Sequence, residues 1–330
     1  MAMKRRVAVV GLGSIGRRHT RLLLEREDVT VELVEPRKEA VAAIQSEFGL
    51  MRSHPSFEAM LDTRPDVVWI ATPTPLHADQ TVAALDIGSH VFCEKPMSST
   101  LADARRMKAA ADRAPGILNI GFYLHFWHGA IRVKELIANG FLGNVMHAHA
   151  RVGSYTTLVN SLSRYQAKYP GQLFLDYSHQ PDLFYWLLDA IPVSVWVAGF
   201  QGGDFDLTAV PNVVDLVCEY DRTLLTTVHL NYMQLPERHE YEIVGDRGWV
   251  IVDVFTGCVR LGNRQDGKAR VESFAQERDD IFRAEQRAFF ETTDGKRQPE
   301  TSGSDGLVSS AICEAALKSW QARERVPVEV

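Results

Sequence analysis

Cysteine is scarce and scattered in this chain. Four residues, Cys93, Cys218, Cys258 and Cys313, are spread over 330 positions with no Cys-x-x-Cys pair and no histidine at zinc-finger spacing. That excludes a disulfide framework and a structural metal centre, and no metal is expected. Charge of one sign is also lacking, because 36 basic side chains stand against 42 acidic ones for a formal net charge of −6. The basic face that a nucleic acid requires is not supplied, so no nucleic-acid partner is expected. Long hydrophobic runs are missing too, none approaching the roughly 20 residues of a membrane span. The basic start Lys4-Arg5-Arg6 leads into an apolar run that stops at Val10 in a glycine turn, without a small-residue cleavage site. The expectation is a soluble cytoplasmic protein with reduced thiols.

What is present is an ordinary globular balance, 45% hydrophobic and 24% charged, in a chain long enough to divide into two domains. The first third alternates short β-branched runs with helical patterns. Strand-like segments at Val7–Val10, Val29–Val34, Asp66–Ile70 and His90–Phe92 are separated by helical spacing at Ile15–Glu25, Lys38–Phe48, Leu76–Leu85 and Leu101–Ala114. Apolar strands interleaved with helices predict a parallel sheet covered on both faces. After a helix near Ala130–Asn139 the rhythm changes to strand-like runs joined by short polar links, such as Asp221-Arg222 and Gly245-Asp246-Arg247-Gly248. This predicts hairpins and a mostly antiparallel sheet, with two late helices at Asp280–Thr292 and Gly306–Arg323. The expected fold class is α/β: an N-terminal doubly wound Rossmann domain over residues 1–122 and an α+β domain over 123–330, its last helix packing back on the first.

Four constellations carry chemistry. The first is Gly11-Leu12-Gly13-Ser14-Ile15-Gly16, directly after a strand and opening a helix. Gly11 permits the tight turn, Gly13 lets the backbone approach a pyrophosphate, and Gly16 lets helix and strand pack closely. The helix start at Ser14 and Ile15 offers unpaired N–H groups to the phosphates. Glu35 ends the next strand about twenty residues on, where a carboxylate accepts hydrogen bonds from the adenosine ribose. Glu35 favours NAD, whereas Arg37 and Lys38 beside it leave NADP open as a cofactor, unless they form only a solvated first turn.

The second constellation is Ala71-Thr72-Pro73-Thr74-Pro75-Leu76-His77, at the carboxyl end of a strand, where ligands of open α/β sheets bind. Thr72 and Pro73 should border the cofactor there, with the Thr72 backbone left free to face a ribose, although a rigid turn before a helix accounts for the prolines equally well, and His77 is either a cofactor contact or a residue of the helix face. The third is Cys93-Glu94-Lys95-Pro96. A lysine held at a strand terminus can hydrogen-bond or exchange a proton with a substrate hydroxyl, and Glu94 can fix the ammonium or contact the nicotinamide side; a surface Glu-Lys pair is the plain alternative. The fourth is Leu173–Asp182. If it is helical, Asp176 and His179 share a face and the carboxylate can orient the imidazole. Pro181 instead belongs in a first turn, which makes a helix capped by Ser178 with an incidental histidine the competing reading.

In this order the four constellations resemble the Gfo/Idh/MocA family of NAD(P)-dependent oxidoreductases, over essentially the whole chain. Gly121-Phe122-Tyr123-Leu124-His125-Phe126 and Asp305-Gly306-Leu307 extend the likeness, and Glu94-Lys95-Pro96 is its most specific element. The resemblance implies hydride transfer between a nicotinamide cofactor and a secondary alcohol or ketone of a sugar, sugar derivative or cyclitol. It implies that Lys95 lies beside the reacting carbon, that His179 is the acid/base and that Asp176 assists it, with the reaction between the two domains. Relatives often carry a carboxylate four residues before the histidine, where this chain has Leu175. They often read Gly-Phe-Asn-x-Arg-Phe where this chain has Tyr123 and His125, both taken as substrate contacts.

Tyr155, Arg164, Tyr165, Lys168 and Tyr169 are further candidates for holding a polyhydroxylated or acidic ring, or else an ordinary polar loop. Surplus apolar residues of the second sheet, among them Trp196, Leu225, Val228, Leu230 and Tyr232, together with the association of relatives through that sheet, predict a homodimer or homotetramer. The competing class is a non-catalytic NAD(P)-binding regulator on the same fold, and a third reading is a reductase of a non-sugar carbonyl.

Overall fold

The computed structural model describes residues 4–155, 171–204, 210–265 and 267–330. They form two compact units, one of Met1–Tyr123 with Arg278–Ser310, the other of Leu124–Glu277 with Ala311–Val330.

The first unit is built on six parallel strands in the order β3-β2-β1-β4-β5-β6. They are β1 Arg5–Val10, β2 Val29–Val34, β3 Ser53–His54, β4 Val67–Ile70, β5 His90–Glu94 and β6 Leu118–Gly121. Side chains of a strand point alternately to either face, so β1 feeds two cores. Val7 and Val9 pack with Leu23, Ile44, Trp69, Phe92, Phe289 and Phe290. Ala8 and Val10 face Met60, Leu85, Met107 and Ala110 on the other side. The helices that supply these partners are α1 Ser14–Leu24, α2 Lys38–Phe48, α3 Phe57–Leu61, α4 His77–Asp86 and α5 Leu101–Arg113. Phe289 and Phe290 come from α9, Arg278–Thr293, far along the chain. Trp69 and Phe92 stack with centroids 3.9 Å apart, and Phe289 meets both edge-on at 5.3 and 5.8 Å.

The second unit carries a nine-stranded sheet in the order β14-β13-β12-β11-β7-β10-β9-β8-β15. Its strands are β7 Val145–Gly153, β8 Ser194–Phe200, β9 Val213–Glu219, β10 Leu225–Asn231, β11 Arg238–Gly245, β12 Gly248–Asp253, β13 Cys258–Asn263, β14 Ala269–Ser273 and β15 Val326–Pro327. Every pairing is antiparallel except β7 with β10. One row across the register, Val252, Tyr241, Ala150, Val228, Leu216 and Val197, is buried throughout. Helices α6 His128–Ala138, α7 Gln172–Asp176 and α8 His179–Leu188 belong to this unit. So do the last turns of α10, Gly303–Ala322, where Ser319 Oγ accepts the Val197 N–H at 2.9 Å.

Val228, Leu230 and Tyr232 lie in the core, which corrects the expectation that they are surplus to it. Trp196 is 47% exposed, Phe200 59% and Leu225 41%. Among the described residues no helix is long and apolar enough to cross a membrane.

Candidate active site

The glycine loop lies between β1 and α1. Gly11 has φ +89°, and a Cβ there would stand 2.8 Å from the Ala71 carbonyl oxygen; one on Gly16 would stand 1.9 Å from the Gly11 carbonyl oxygen. Both positions therefore require glycine. Gly13 is different: a Cβ there meets nothing within 4 Å. It caps α1 without a side-chain hydrogen bond, and the first turn of α1 holds no acidic residue. By contrast α5 has Thr100 Oγ1 accepting the Asp103 N–H at 3.1 Å and Asp103 in its first turn. The α1 N-terminus, with Ser14 exposed and Ile15 half-buried, thus presents N–H groups and the positive dipole end to open space. A dinucleotide pyrophosphate fits that cradle.

Glu35, at the carboxyl end of β2, is buried, and its Oε2 accepts the Leu12 N–H at 3.0 Å. Arg37 holds both its oxygens, Nε to Oε1 at 2.7 Å and Nη2 to Oε2 at 3.0 Å. The hydrogen bond from Arg37, helped by that from Leu12, keeps the carboxyl below the ordinary glutamate range despite burial. Carboxylate and guanidinium occupy one spot, the anion suited to ribose hydroxyls and the cation to a 2′-phosphate.

At the ends of β4 and β5 the structure corrects two expectations. His77 is 1% exposed, with Nδ1 2.9 Å from the Pro96 carbonyl oxygen and Nε2 2.8 Å from that of Thr72. Both ring nitrogens are thus turned to backbone carbonyls of the two loops, and burial lowers its pKa, so the neutral ring donates to one carbonyl at a time. The Thr72 carbonyl is not free as expected, since it faces His77 Nε2, and the Thr72 hydroxyl donates to Gln80 Oε1 at 2.6 Å. Pro73, next in the loop, is exposed.

Lys95 is half-buried just beyond β5, and its N–H donates to Glu94 Oε2 at 3.2 Å. Glu94 is a buried carboxylate, not half of a surface pair. Its Oε1 meets His19 Nε2 at 2.7 Å, and a Cβ on Gly121 would press on it at 3.1 Å. Tyr123 packs on Phe282 with ring centroids 5.1 Å apart; burial raises its phenol above the ordinary value, while Arg278 and Arg18 pull it down. Glu285 is buried nearby, and no hydrogen bond reaches either of its oxygens among the described residues. Burial, and then the charge of Glu94, hold its carboxyl well above the ordinary range. His19, Gln286 and Glu285 escaped the sequence reading; only the three-residue step from Gly16 to His19 brings one of them near the glycine motif.

In the second unit the Asp176–His179 segment is not one helix. α7 ends at Asp176 and α8 begins at His179, so the shared helix face does not exist. Pro181, in the first turn of α8, has no N–H to give a preceding turn, which stops the helix from running through. Asp176 accepts Gln172 Nε2 on Oδ1 at 2.7 Å and the Tyr232 hydroxyl on Oδ2. Burial, then the Asp176 charge, keep the Tyr232 phenol well above its usual range. His179 is 6% exposed.

His125 is 2% exposed; its Nε2 pairs with Asp182 Oδ2 at 2.8 Å and its ring stacks on Trp186 at 4.5 Å. It holds its turn to α8, a correction to its place among the substrate contacts. A pair the sequence did not suggest follows on β11, where His239 Nε2 faces the Tyr241 hydroxyl at 2.8 Å and burial pushes the imidazole down to about 4. Tyr155 is half-buried, its N–H on the Gln234 carbonyl at 3.0 Å. Arg164, Tyr165, Lys168 and Tyr169 lie outside the described residues. The described His, Cys, Asp and Glu side chains form no cluster of three or more that could hold a metal.

Comparison with known proteins places this geometry. Residues 5–122 match a family model described as an oxidoreductase family with an NAD-binding Rossmann fold, and residues 130–251 match the GFO/IDH/MocA C-terminal domain. The chain is 26% identical to inositol 2-dehydrogenase 3 of Saccharopolyspora erythraea, over 98% of this chain and 95% of that one. It is 26% identical to 1,5-anhydro-D-fructose reductase of Ensifer adhaerens, over 91% of each. In fold it is similar to an oxidoreductase of Agrobacterium radiobacter solved with NAD+, L-tartaric acid and magnesium, with TM-score 0.90 at 17% identity over 99% of both chains. With models of one family matching both stretches, the chain belongs to the Gfo/Idh/MocA oxidoreductases, and its first unit is an NAD-binding Rossmann fold.

Proposed function

We propose that this oxidoreductase transfers a hydride between NAD and a secondary alcohol or ketone of a sugar, sugar derivative or cyclitol. The observation that carries the reading is Lys95, presented at the carboxyl end of β5 with its peptide held by the buried Glu94 carboxylate. The names of the inositol dehydrogenase and anhydrofructose reductase relatives support the substrate class.

Bound NAD supplies the hydride acceptor. Gly11, Gly13, Ser14, Ile15 and Gly16 cradle its pyrophosphate, Glu35 and Arg37 meet the adenosine end, and Thr72, Pro73 and Glu94 border it further along the strand ends. His179 takes the hydroxyl proton while the Lys95 ammonium stabilises the oxygen as charge develops. Asp176, fixed by Gln172 and Tyr232, assists His179. Tyr123, Tyr155 and Arg164 complete the proposed substrate contacts.

The test is a panel of cyclitols and sugars with NAD, read by the ultraviolet absorbance of NADH after cofactor binding has been confirmed. Turnover of at least one polyol supports the proposal. Cofactor binding with no turnover across the panel, together with capture of a protein partner, would move the protein to a regulatory class.

The enzyme acts in the cytoplasm as a homodimer or homotetramer through the second unit's sheet. The four cysteines stand as thiols outside any disulfide, which suits a reducing compartment, and the exposed Trp196, Phe200 and Leu225 suit a self-association face. Sedimentation of wild type and Trp196→Lys decides the assembly: the variant should dissociate, and a monomeric wild type refutes it.

A further inference from the structure

We infer that Gln286 and Glu94 together hold His19 in its Nε2-protonated tautomer, and that His19 so held is a positioning residue for Lys95, acting through the Glu94 carboxylate. The inference rests on the role given to Lys95 above.

His19 on α1 and Gln286 on α9 are 0% and 1% exposed. Gln286 Nε2 lies 3.3 Å from the backbone carbonyl oxygen of His19 and 3.2 Å from its ring Nδ1. The carbonyl decides which end of the amide points there, because an amide oxygen in that place would face another oxygen. The amide nitrogen therefore gives one hydrogen to the carbonyl and the other to Nδ1. Nδ1 accepts, so the ring proton sits on Nε2, which points at Glu94 Oε1 from 2.7 Å. The other Glu94 oxygen takes the Lys95 N–H. One buried relay thus runs from Gln286 through His19 and Glu94 to the Lys95 peptide.

Aromatic rings pack around the histidine of the relay. Trp69, Phe92 and Phe282 wall the His19 ring, with centroids at 5.0, 5.4 and 5.3 Å, and confine it to this orientation. Tyr123, Glu285, Arg18 and Arg278 are the other titratable or charged groups around the carboxyl pair. Glu285 accepts no hydrogen bond among the described residues. In the other tautomer a ring lone pair would face the Glu94 carboxylate and repel it. The displaced carboxylate would hold the Lys95 peptide less well, and small misplacements of a catalytic group are costly.

The test uses the full-length protein with nitrogen-15 in its histidines and lysines. In wild type, long-range proton–nitrogen spectra should show His19 protonated on Nε2 and bare on Nδ1, assigned by the signals lost in His19→Asn. Gln286→Met, close in shape but without the donor, should strip Nδ1 of its hydrogen bond, shift the His19 Nδ1 resonance and move the Lys95 amide resonance. It should lower kcat by about tenfold with NAD affinity nearly unchanged. His19→Gln, which restores a donor near the Nε2 position, should keep more of kcat than His19→Leu.

A proton on Nδ1 in wild type overturns the inference, and that spectrum is available even if a variant fails to fold. An unmoved His19 Nδ1 resonance or an unmoved Lys95 amide in Gln286→Met overturns it as well. If no sugar or cyclitol is turned over, the proposed function fails, while the His19 and Lys95 resonances still decide the relay.

Discussion

The Arg37 guanidinium lies across the Glu35 carboxylate, with Nε on Oε1 and Nη2 on Oε2, so the group suited to ribose hydroxyls and the group suited to a 2′-phosphate neutralise each other. The Arg37 side chain is 64% exposed against 5% for Glu35, so the cation is the partner that can swing away.

Glu35→Ala removes the ribose acceptor, releases the Leu12 N–H and frees Arg37. NAD affinity should fall by about tenfold or more while NADP affinity falls less or rises. Fluorescence titration of both cofactors checks this, and a larger loss for NADP contradicts it. Because Arg37 depresses the Glu35 carboxyl, the stabilisation from this pair is fully present above the ordinary glutamate value. It is lost only as pH falls through the depressed one.

Lys95→Ala and His179→Ala should each lower turnover by about 10²-fold or more with little change in cofactor binding. Steady-state kinetics beside NAD titration separates the two effects. Near-normal rates in both variants would remove the catalytic assignment.

His77→Ala should act on stability and on the cofactor together. It removes the bridge between the Thr72 and Pro96 carbonyls and leaves a cavity in a fully buried place. A cost of about 2–3 kcal/mol is expected from thermal unfolding, with weaker NAD binding. Unaltered unfolding would mean that the bridge contributes nothing.

Glu285 gives a pH dependence of opposite sign to Glu35. Its folded pKa is raised by burial and by Glu94, so the folded state keeps a proton that the unfolded chain releases near 4.5. Its contribution is intact below that value and declines as pH rises toward the raised one. Glu285→Gln cannot ionise, so its stability relative to wild type should grow by about 1.4 kcal/mol per pH unit across that window. Denaturant melts of both proteins from mildly acidic to neutral pH test this; a constant difference rejects it.

Much of the architecture was legible because long elements announce themselves by period. Val29–Val34 and Lys38–Phe48 have the bounds that pattern alone predicts. The misses are short or polar. Ser53–His54 and Leu118–Gly121 take their form from pairing with β2 and β5, and Ala269–Ser273 is an edge strand without an apolar side. The glycine loop, Glu35 and Lys95 could be found because their chemistry is local in sequence. His19 with Gln286 could not, because the bond spans 267 positions and nothing in either neighbourhood points to the other. His125 and His77 misled for a related reason: a histidine beside a motif reads the same whether its ring faces a ligand or the core.

The return of α9 to the first unit has a practical consequence for dissecting the protein. A recombinant fragment ending at Tyr123 would lack Phe289 and Phe290, leaving Trp69 and Phe92 bare to water on one side of the parallel sheet. It would also strand His19 without Gln286. Such a fragment should be sticky and poor at holding nucleotide, whereas one that splices Arg278–Ser310 behind it keeps that side sealed.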